Sequence, residues 1–156
     1  MKTPLFQSKT KTIVLAGFIA GTLDILCAIF ILAGGNAEMV LRFIAQGAFG
    51  PAAYEGGPEM ILWGLLFHYF IAYAFTLTYF LLSVHVAIII KRPFVSGLLY
   101  GIVIWLFMNY IVLPLSQNPP GAFSFENAYK NILILMFAVG LPIALLARKH
   151  GQDEAK

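Results

Sequence analysis

The sequence is poor in charged residues and contains a single cysteine. Charged side chains make up 11% of its 156 residues, less than half of the roughly 25% that is typical of soluble domains. The lone Cys27 excludes an intramolecular disulfide, a CxxC redox pair and a zinc site built from several cysteines. It also argues against membrane oxidoreductases that depend on paired cysteines.

Apolar residues are correspondingly abundant. They make up 60% of the chain, and the mean hydropathy is +0.86. A soluble domain of this length cannot cover so much apolar surface, so lipid is the expected solvent for most of the chain. The isoelectric point near 9.1 is not a sign of nucleic-acid binding, because the charges lie at the ends of apolar runs.

Four apolar runs are each long enough to cross a hydrocarbon core of about 30 Å as a helix. We predict an all-α fold, a four-transmembrane-helix bundle in one domain, with a short interfacial helix between the first and second spans. The first run is longer than a signal-peptide core, so we expect it to be retained. The predicted spans are 12–34, 58–84, 93–115 and 127–147, and the short helix is 37–49, with Asn36 as its cap.

The basic residues are divided unevenly between the two sides of this layout. Only Arg42 and Lys130 lie on the side of the first and third connections. By the positive-inside rule, the other side is cytoplasmic, and we predict a multi-pass protein of a bacterial inner membrane with both termini in the cytoplasm. The cytoplasmic set is Lys2, Lys9, Lys11, Lys91, Arg92, Arg148, Lys149 and Lys156.

Glycines four residues apart mark predicted helix-packing faces. They are Gly17 and Gly21 in the first span, and Gly97 and Gly101 in the third. Small residues at this spacing let two helix backbones approach closely. Because both spans leave the cytoplasm, the pairs also suggest a parallel repeat of two spans each, with chance recurrence of a common pattern as the alternative.

Two ionisable residues lie near the middle of apolar runs, Asp24 in the first and His68 in the second. Counted at about 1.5 Å per residue, both lie roughly 15 Å below the outer ends of their spans. Both fall on the small-residue faces of their helices, so we predict that the carboxylate and the imidazole can pair directly. An ionisable residue inside a membrane marks a functional site by default. A pair that only fixes helix register is the structural alternative.

Further polar side chains are expected nearer the outer surface. Asn109 lies about 8–9 Å below it, and Glu59 and Lys130 lie close to it. With Asp24 and His68, these three complete the predicted ligand or proton site, as a polar mouth above the buried pair. Ordinary capping and snorkelling side chains are the alternative reading.

The second span is also rich in hydroxyl groups. A hydroxyl in a helix commonly bonds the carbonyl one turn back. We expect this arrangement for most of the hydroxyls there, namely those of Tyr69, Tyr73, Thr76 and Thr78.

No cofactor or metal is expected from the residue pattern. A haem at His68 would need a second axial ligand at the same depth, and the sequence places no other histidine there. Zinc bound by Asp24 and His68 would lack further ligands. The sequence also contains no P-loop and no Ser-His-Asp order.

Four segments carry a resemblance to a known family: AGFIAG, GGPEMILWGLLFHY, SGLLYGIVIWLFMN and GLPIALLARK. Together with the four-span layout, they are similar to small bacterial inner-membrane proteins of the YagU type. The resemblance covers nearly the whole chain. It implies a multi-span inner-membrane protein and assigns no catalytic residues.

These features favour a small transporter, or a proton- or ion-linked permeation element, that uses Asp24 and His68 without covalent chemistry. The alternative is an accessory or scaffold subunit that binds partner membrane proteins through its small-residue faces. Either could form a homo-oligomer in the lipid bilayer, and neither binds nucleic acid. A membrane enzyme acting on lipid is the third reading, and its candidate residues are Arg42, Glu55, Glu59 and Lys130.

Overall fold

The computed structural model describes residues 9–119 and 124–154, and within them the chain is helical, without a strand. Lys2 and Lys156, which contribute to the predicted topology, lie outside the described residues. The helices are α1 (Lys9–Leu32), α2 (Ala37–Phe49), α3 (Ala52–Glu55), α4 (Glu59–His85), α5 (Ala87–Lys91), α6 (Pro93–Leu115) and α7 (Phe125–Gly151), whose last turn continues to Glu154.

Four of these helices, α1, α4, α6 and α7, are long and apolar enough to cross a membrane. In the most apolar 18-residue stretch of each, only 17% to 39% of the residues are buried inside the protein. Large apolar side chains therefore cover the outside, including Phe70 at 71% exposure and Leu115 at 83%. Soluble proteins rarely expose apolar patches of this extent, so the surface fits a lipid environment.

The long helices occupy the four predicted spans with small differences at their ends. α6 has the predicted limits, and α4 is displaced by one residue. α1 begins three residues early, at Lys9, and ends two residues early, at Leu32. It ends there because Gly34 and Gly35 take φ values of +59° and +95°, a region that favours glycine and terminates helices. α7 starts at Phe125, after Ser124 accepts a hydrogen bond from the Asn127 amide at 3.4 Å.

The short helix α2 has the predicted limits and the predicted cap. The Asn36 side-chain oxygen accepts a hydrogen bond from the Met39 amide at 2.9 Å. α2 packs on α4 at Gly64, where a side chain would collide with the Leu41 carbonyl group. Its place at a membrane interface stays a prediction.

The core lies in the half of the bundle where α1 begins and α7 ends, which we call the terminal half; the other is the loop half. In it α1 packs against α4 and α7, and α6 packs against α7. Tyrosines link α4 to α6: Tyr79 bonds the Ser96 hydroxyl at 2.8 Å, and Tyr100 donates to the Phe75 carbonyl at 2.7 Å. The buried cluster is Ala16, Ala20, Tyr79, Phe80, Tyr100, Ile104, Val139, Ile143, Ala144 and Ala147.

Glycine lets α6 and α7 pack backbone against backbone. A side chain at Gly97 would lie 2.8 Å from the Gly140 carbonyl oxygen. A side chain at Gly101 would overlap the backbone of Met136. Two helices can approach this closely only where the side chain is absent, so the predicted packing role of this glycine pair matches the structure.

The two halves of the chain repeat these features in register. Eighty residues separate Gly17 from Gly97, and eighty separate the π-helical turn Ala28–Leu32 from the π-helical turn Met108–Val112. Each half therefore has a packing glycine pair followed by a π-helical turn at the same distance, as a parallel repeat predicts. The halves differ in what packs against these glycines. The Tyr73 ring of α4 lies over Gly17, whereas the backbone of α7 lies over Gly97.

Gly101→Ala should lower the free energy of unfolding by about 1–3 kcal/mol, the usual cost of overpacking. The added methyl group would force α6 away from Met136. Thermal unfolding in detergent measures the effect. Ala74→Val is the matched control, because it adds methyl groups on the exposed face of α4. Equal unfolding temperatures for Gly101→Ala and the wild type would contradict the close α6–α7 contact.

Candidate functional site

His68 lies on α4 with 8% of its surface exposed and reaches across to α1. Its Nε2 is 2.7 Å from the Gly21 carbonyl oxygen. A carbonyl oxygen only accepts hydrogen bonds, so Nε2 carries the hydrogen and donates it. Nδ1 is then the nitrogen that can take up a further proton, and none of the described residues forms a hydrogen bond with it.

The contact is possible because α1 has no side chains at Gly17 and Gly21. The rings of Tyr73 and Tyr69 occupy the space that those side chains would fill, and a Cβ at Gly21 would lie 3.0 Å from the Tyr69 ring. The absence of side chains brings the polar groups of α4 within hydrogen-bond distance of the α1 backbone. The Gly21 carbonyl is one of the groups made accessible in this way.

Two tyrosine hydroxyls make further bonds across the same interface. Tyr69 bonds the Thr22 hydroxyl at 2.8 Å, and Tyr73 donates to the Val14 carbonyl at 3.2 Å. With the His68 bond, three polar contacts hold α4 to α1 over about two helical turns. Inside a membrane such contacts add to van der Waals packing, which is otherwise the main attraction between helices.

The structure places Asp24 beside His68 but does not pair them. The two groups are within electrostatic range, yet Asp24 forms no hydrogen bond or ion pair with any described residue. The direct pair predicted from depth is replaced by the His68–Gly21 contact. The depth count treated the first span as an α-helix ending at Gly34, whereas it ends at Leu32 with the π-helical turn Ala28–Leu32. The histidine is therefore level with Gly21, about one turn from Asp24.

Asp24 lies where α1 leaves the packed core. Gly17 and Gly21 on the predicted stripe are buried, while Asp24 and Ala28 are partly exposed. The π-helical turn Ala28–Leu32 contains no buried residue. π-Helical turns within α-helices are frequent at functional sites.

The other predicted site residues have local partners in the loop half. Asn109 donates to the Trp105 carbonyl at 2.9 Å, and Glu59 accepts from the Gly57 amide at 2.8 Å. Lys130 forms an ion pair with Glu126 at 2.6 Å. Within residues 9–119 and 124–154, no hydrogen bond or ion pair joins these three to Asp24 or His68. A polar mouth above the buried pair stays a prediction.

The Arg42 side chain bonds groups of α2 and of the α3 segment, so it is engaged within the protein. Its guanidinium group contacts the Glu38 carboxylate at 2.8 Å and the carbonyls of Ala53 and Gly56 at 2.7 and 2.9 Å. It thereby ties the α3 segment to α2. These donors are already in use, and Glu55 beside them is exposed.

The prediction for the α4 hydroxyls is confirmed for the threonines and wrong for the tyrosines. Thr76 and Thr78 each bond the carbonyl four residues back at 2.8 Å. Tyr69 and Tyr73 instead cross to α1. The signal was present in the sequence: two tyrosines four residues apart match two glycines four residues apart on an antiparallel neighbour, and each ring fits over one glycine.

The described residues contain no group of three or more His, Cys, Asp or Glu side chains placed to hold a metal ion. No family model matches the chain, and no curated protein or solved structure matches it significantly. The similarity to the YagU type stays a prediction.

A double-mutant cycle should detect the bond between Tyr69 and Thr22. Tyr69→Phe and Thr22→Val should show a coupling of about 0.6 kcal/mol, typical of interhelical hydrogen bonds in a membrane. Unfolding free energies of the two single variants and the double variant give this number. Tyr73→Phe with Thr22→Val is the control and should be additive, because Tyr73 bonds a backbone carbonyl. Additivity in both cycles would contradict the Tyr69–Thr22 bond.

Proposed function

We propose that this chain is a multi-pass protein of the bacterial inner membrane, of the YagU type, that acts as a small transporter or a proton- or ion-linked permeation element. The observation that carries the proposal is Asp24, an acidic group in an apolar span that no described residue neutralises. His68 lies within its electrostatic range. An unpaired charge inside the membrane raises the free energy of the folded protein, so an ionisable residue there marks a functional site or is neutralised by a mobile ion.

The chemistry of the site follows from its hydrogen bonds. The Gly21 carbonyl holds the Nε2 hydrogen of His68, so a proton arrives and leaves at Nδ1. A protonated His68 neutralises an ionised Asp24 by charge. A neutral His68 leaves one negative charge, which a cation at Asp24 can balance. A proton on His68 and a cation at Asp24 thus balance the same negative charge and disfavour each other, which is the linkage that a proton-coupled carrier needs.

Access to the site is supported from the loop half. The turn above Asp24, Ala28–Leu32, contains no buried residue, and its counterpart in α6, Met108–Val112, contains none either. On this proposal, ions reach Asp24 from the loop half, past the turn Ala28–Leu32. The tight core of the terminal half lies beyond it, so passage requires a conformational change there rather than a fixed open pore.

The scaffold alternative receives less support. It assigned partner binding to the glycine faces of α1 and α6. Gly17 and Gly21 are covered by tyrosine rings of α4, and Gly97 and Gly101 by the α7 backbone. These faces are filled by the chain's own helices and are not available to another protein.

Asp24→Asn should abolish proton-linked cation flux in reconstituted vesicles, because the amide removes the charge that binds the cation. His68→Ala should keep cation binding and lose its dependence on pH. A dye trapped inside the vesicles reports the proton movement under an imposed cation gradient.

Glu38→Gln is the matched control for these measurements. It makes the same chemical change in the exposed first turn of α2 and should leave flux unchanged. If vesicles that contain the wild-type protein show no more flux than protein-free vesicles, transport is contradicted. Full flux in folded Asp24→Asn and His68→Ala proteins would contradict the role of this site.

Labelling of single cysteines tests the proposed topology. In a Cys27→Ser background, Glu55→Cys should react with a membrane-impermeant maleimide on intact spheroplasts. Lys91→Cys should react only after lysis, because the positive-inside rule places it in the cytoplasm. The reverse pattern would show that the orientation is inverted.

A further inference from the structure

A cleft of about 400 Å³ lies on the outer surface of α1 and α4 in the terminal half. Thr10 and Lys11 line one end of it. The rest of the wall is apolar or aromatic, formed by Val14, Leu15, Phe18 and Tyr73. The cleft is therefore an open apolar groove with Lys11 and Thr10 at one end.

Contacts within the protein hold the walls of the cleft. Tyr73 lies flat in the space that Gly17 leaves, and its hydroxyl is fixed to the Val14 carbonyl at 3.2 Å. Phe18 stacks on Tyr69 with the ring centroids 5.9 Å apart and the planes at 11°. Tyr69 is in turn bonded to Thr22. The shape of the cleft thus depends on the same glycine-based interface that holds His68.

The open face of the cleft carries an unbalanced charge. Val14 and Phe18 are 53% and 55% exposed, so they are available to an apolar ligand. Lys11 is exposed, and no acidic side chain in the described ranges forms an ion pair with it. An anionic head with an apolar tail is complementary to this arrangement.

We propose that the cleft binds an anionic phospholipid of the bilayer leaflet on the terminal side. Lys11 and the Thr10 hydroxyl hold the phosphate, and an acyl chain lies along Leu15, Phe18 and Tyr73. Basic residues at the ends of membrane helices attract anionic lipid heads in this way. The proposal rests on the membrane placement argued above and is independent of ion transport.

Bound lipid would also stabilise the α1–α4 interface. Its acyl chain would contact Tyr73, whose ring covers Gly17, and Phe18, which stacks on Tyr69. A ligand that binds only the folded state raises the unfolding temperature, and more so as its concentration exceeds Kd. Lipid composition would then set the stability of the interface that positions His68.

The test uses the full-length chain in a neutral detergent, with phosphatidylglycerol and phosphatidylcholine as probes. Native mass spectrometry should show retained phosphatidylglycerol in preference to phosphatidylcholine, with a matching rise in unfolding temperature. Lys11→Gln should weaken phosphatidylglycerol retention roughly fivefold, the factor expected for one lysine at an anionic surface. Leu15→Trp should block retention by filling the cleft.

Lys91→Gln is the control, since it removes an exposed lysine outside the cleft, and it should retain lipid like the wild type. An equal loss of phosphatidylglycerol retention in Lys11→Gln and Lys91→Gln would show that lysines attract the lipid by charge at any position. That result would overturn the proposed site. Glycerol 3-phosphate should not compete, and full competition would exclude the acyl-chain contact. Binding only by a variant lacking residues 1–8 would show that the amino-terminal arm, rather than lipid, fills the cleft.

Discussion

The absence of side chains at Gly17 and Gly21 is the constraint on which the rest of this protein depends. Two tyrosine rings of α4 lie where those side chains would be, and α4 therefore reaches the backbone of α1. His68 finds its hydrogen-bond acceptor in the Gly21 carbonyl only because of that approach. The Tyr73 ring also lines the apolar cleft on the outer face. Packing, the candidate proton site and the proposed lipid site are thus consequences of two missing side chains.

All but one of the polar side chains discussed at the α1–α4 interface have a hydrogen-bond partner. Tyr69, Tyr73 and His68 each have a partner on α1. Asp24 has none among the described residues, although it lies within the field of His68. Satisfied polar groups fix the register of two helices, whereas an unmatched carboxyl group in an apolar helix costs free energy. The interface therefore combines a hydrogen-bonded section with one carboxyl group that no described residue neutralises.

Length and composition were sufficient to predict the four long helices, because no other structure satisfies the backbone of such apolar runs in lipid. Asn36 identified the start of α2, and glycine spacing identified the packing faces. The partner of His68 was not predictable in the same way. Depth counting fixes height only while a helix is regular, and the π-helical turn Ala28–Leu32 is not encoded by any residue pattern that we recognise. The rotation of α4 about its axis, which sends its tyrosines across to α1, also depends on the neighbouring helix.

The bond from His68 to the backbone, rather than to Asp24, is most directly tested by nitrogen NMR of histidine-labelled protein in bilayers. A His68→Gln sample assigns the resonances among the three histidines. Neutral His68 should carry its hydrogen on Nε2, with the chemical shift of a ring N–H that donates a hydrogen bond to a carbonyl oxygen. Asp24→Asn should leave that Nε2 signal in place. A neutral ring with its hydrogen on Nδ1, or an Nε2 signal that moves when Asp24 is replaced, would show a direct carboxylate–imidazole pair and contradict the account.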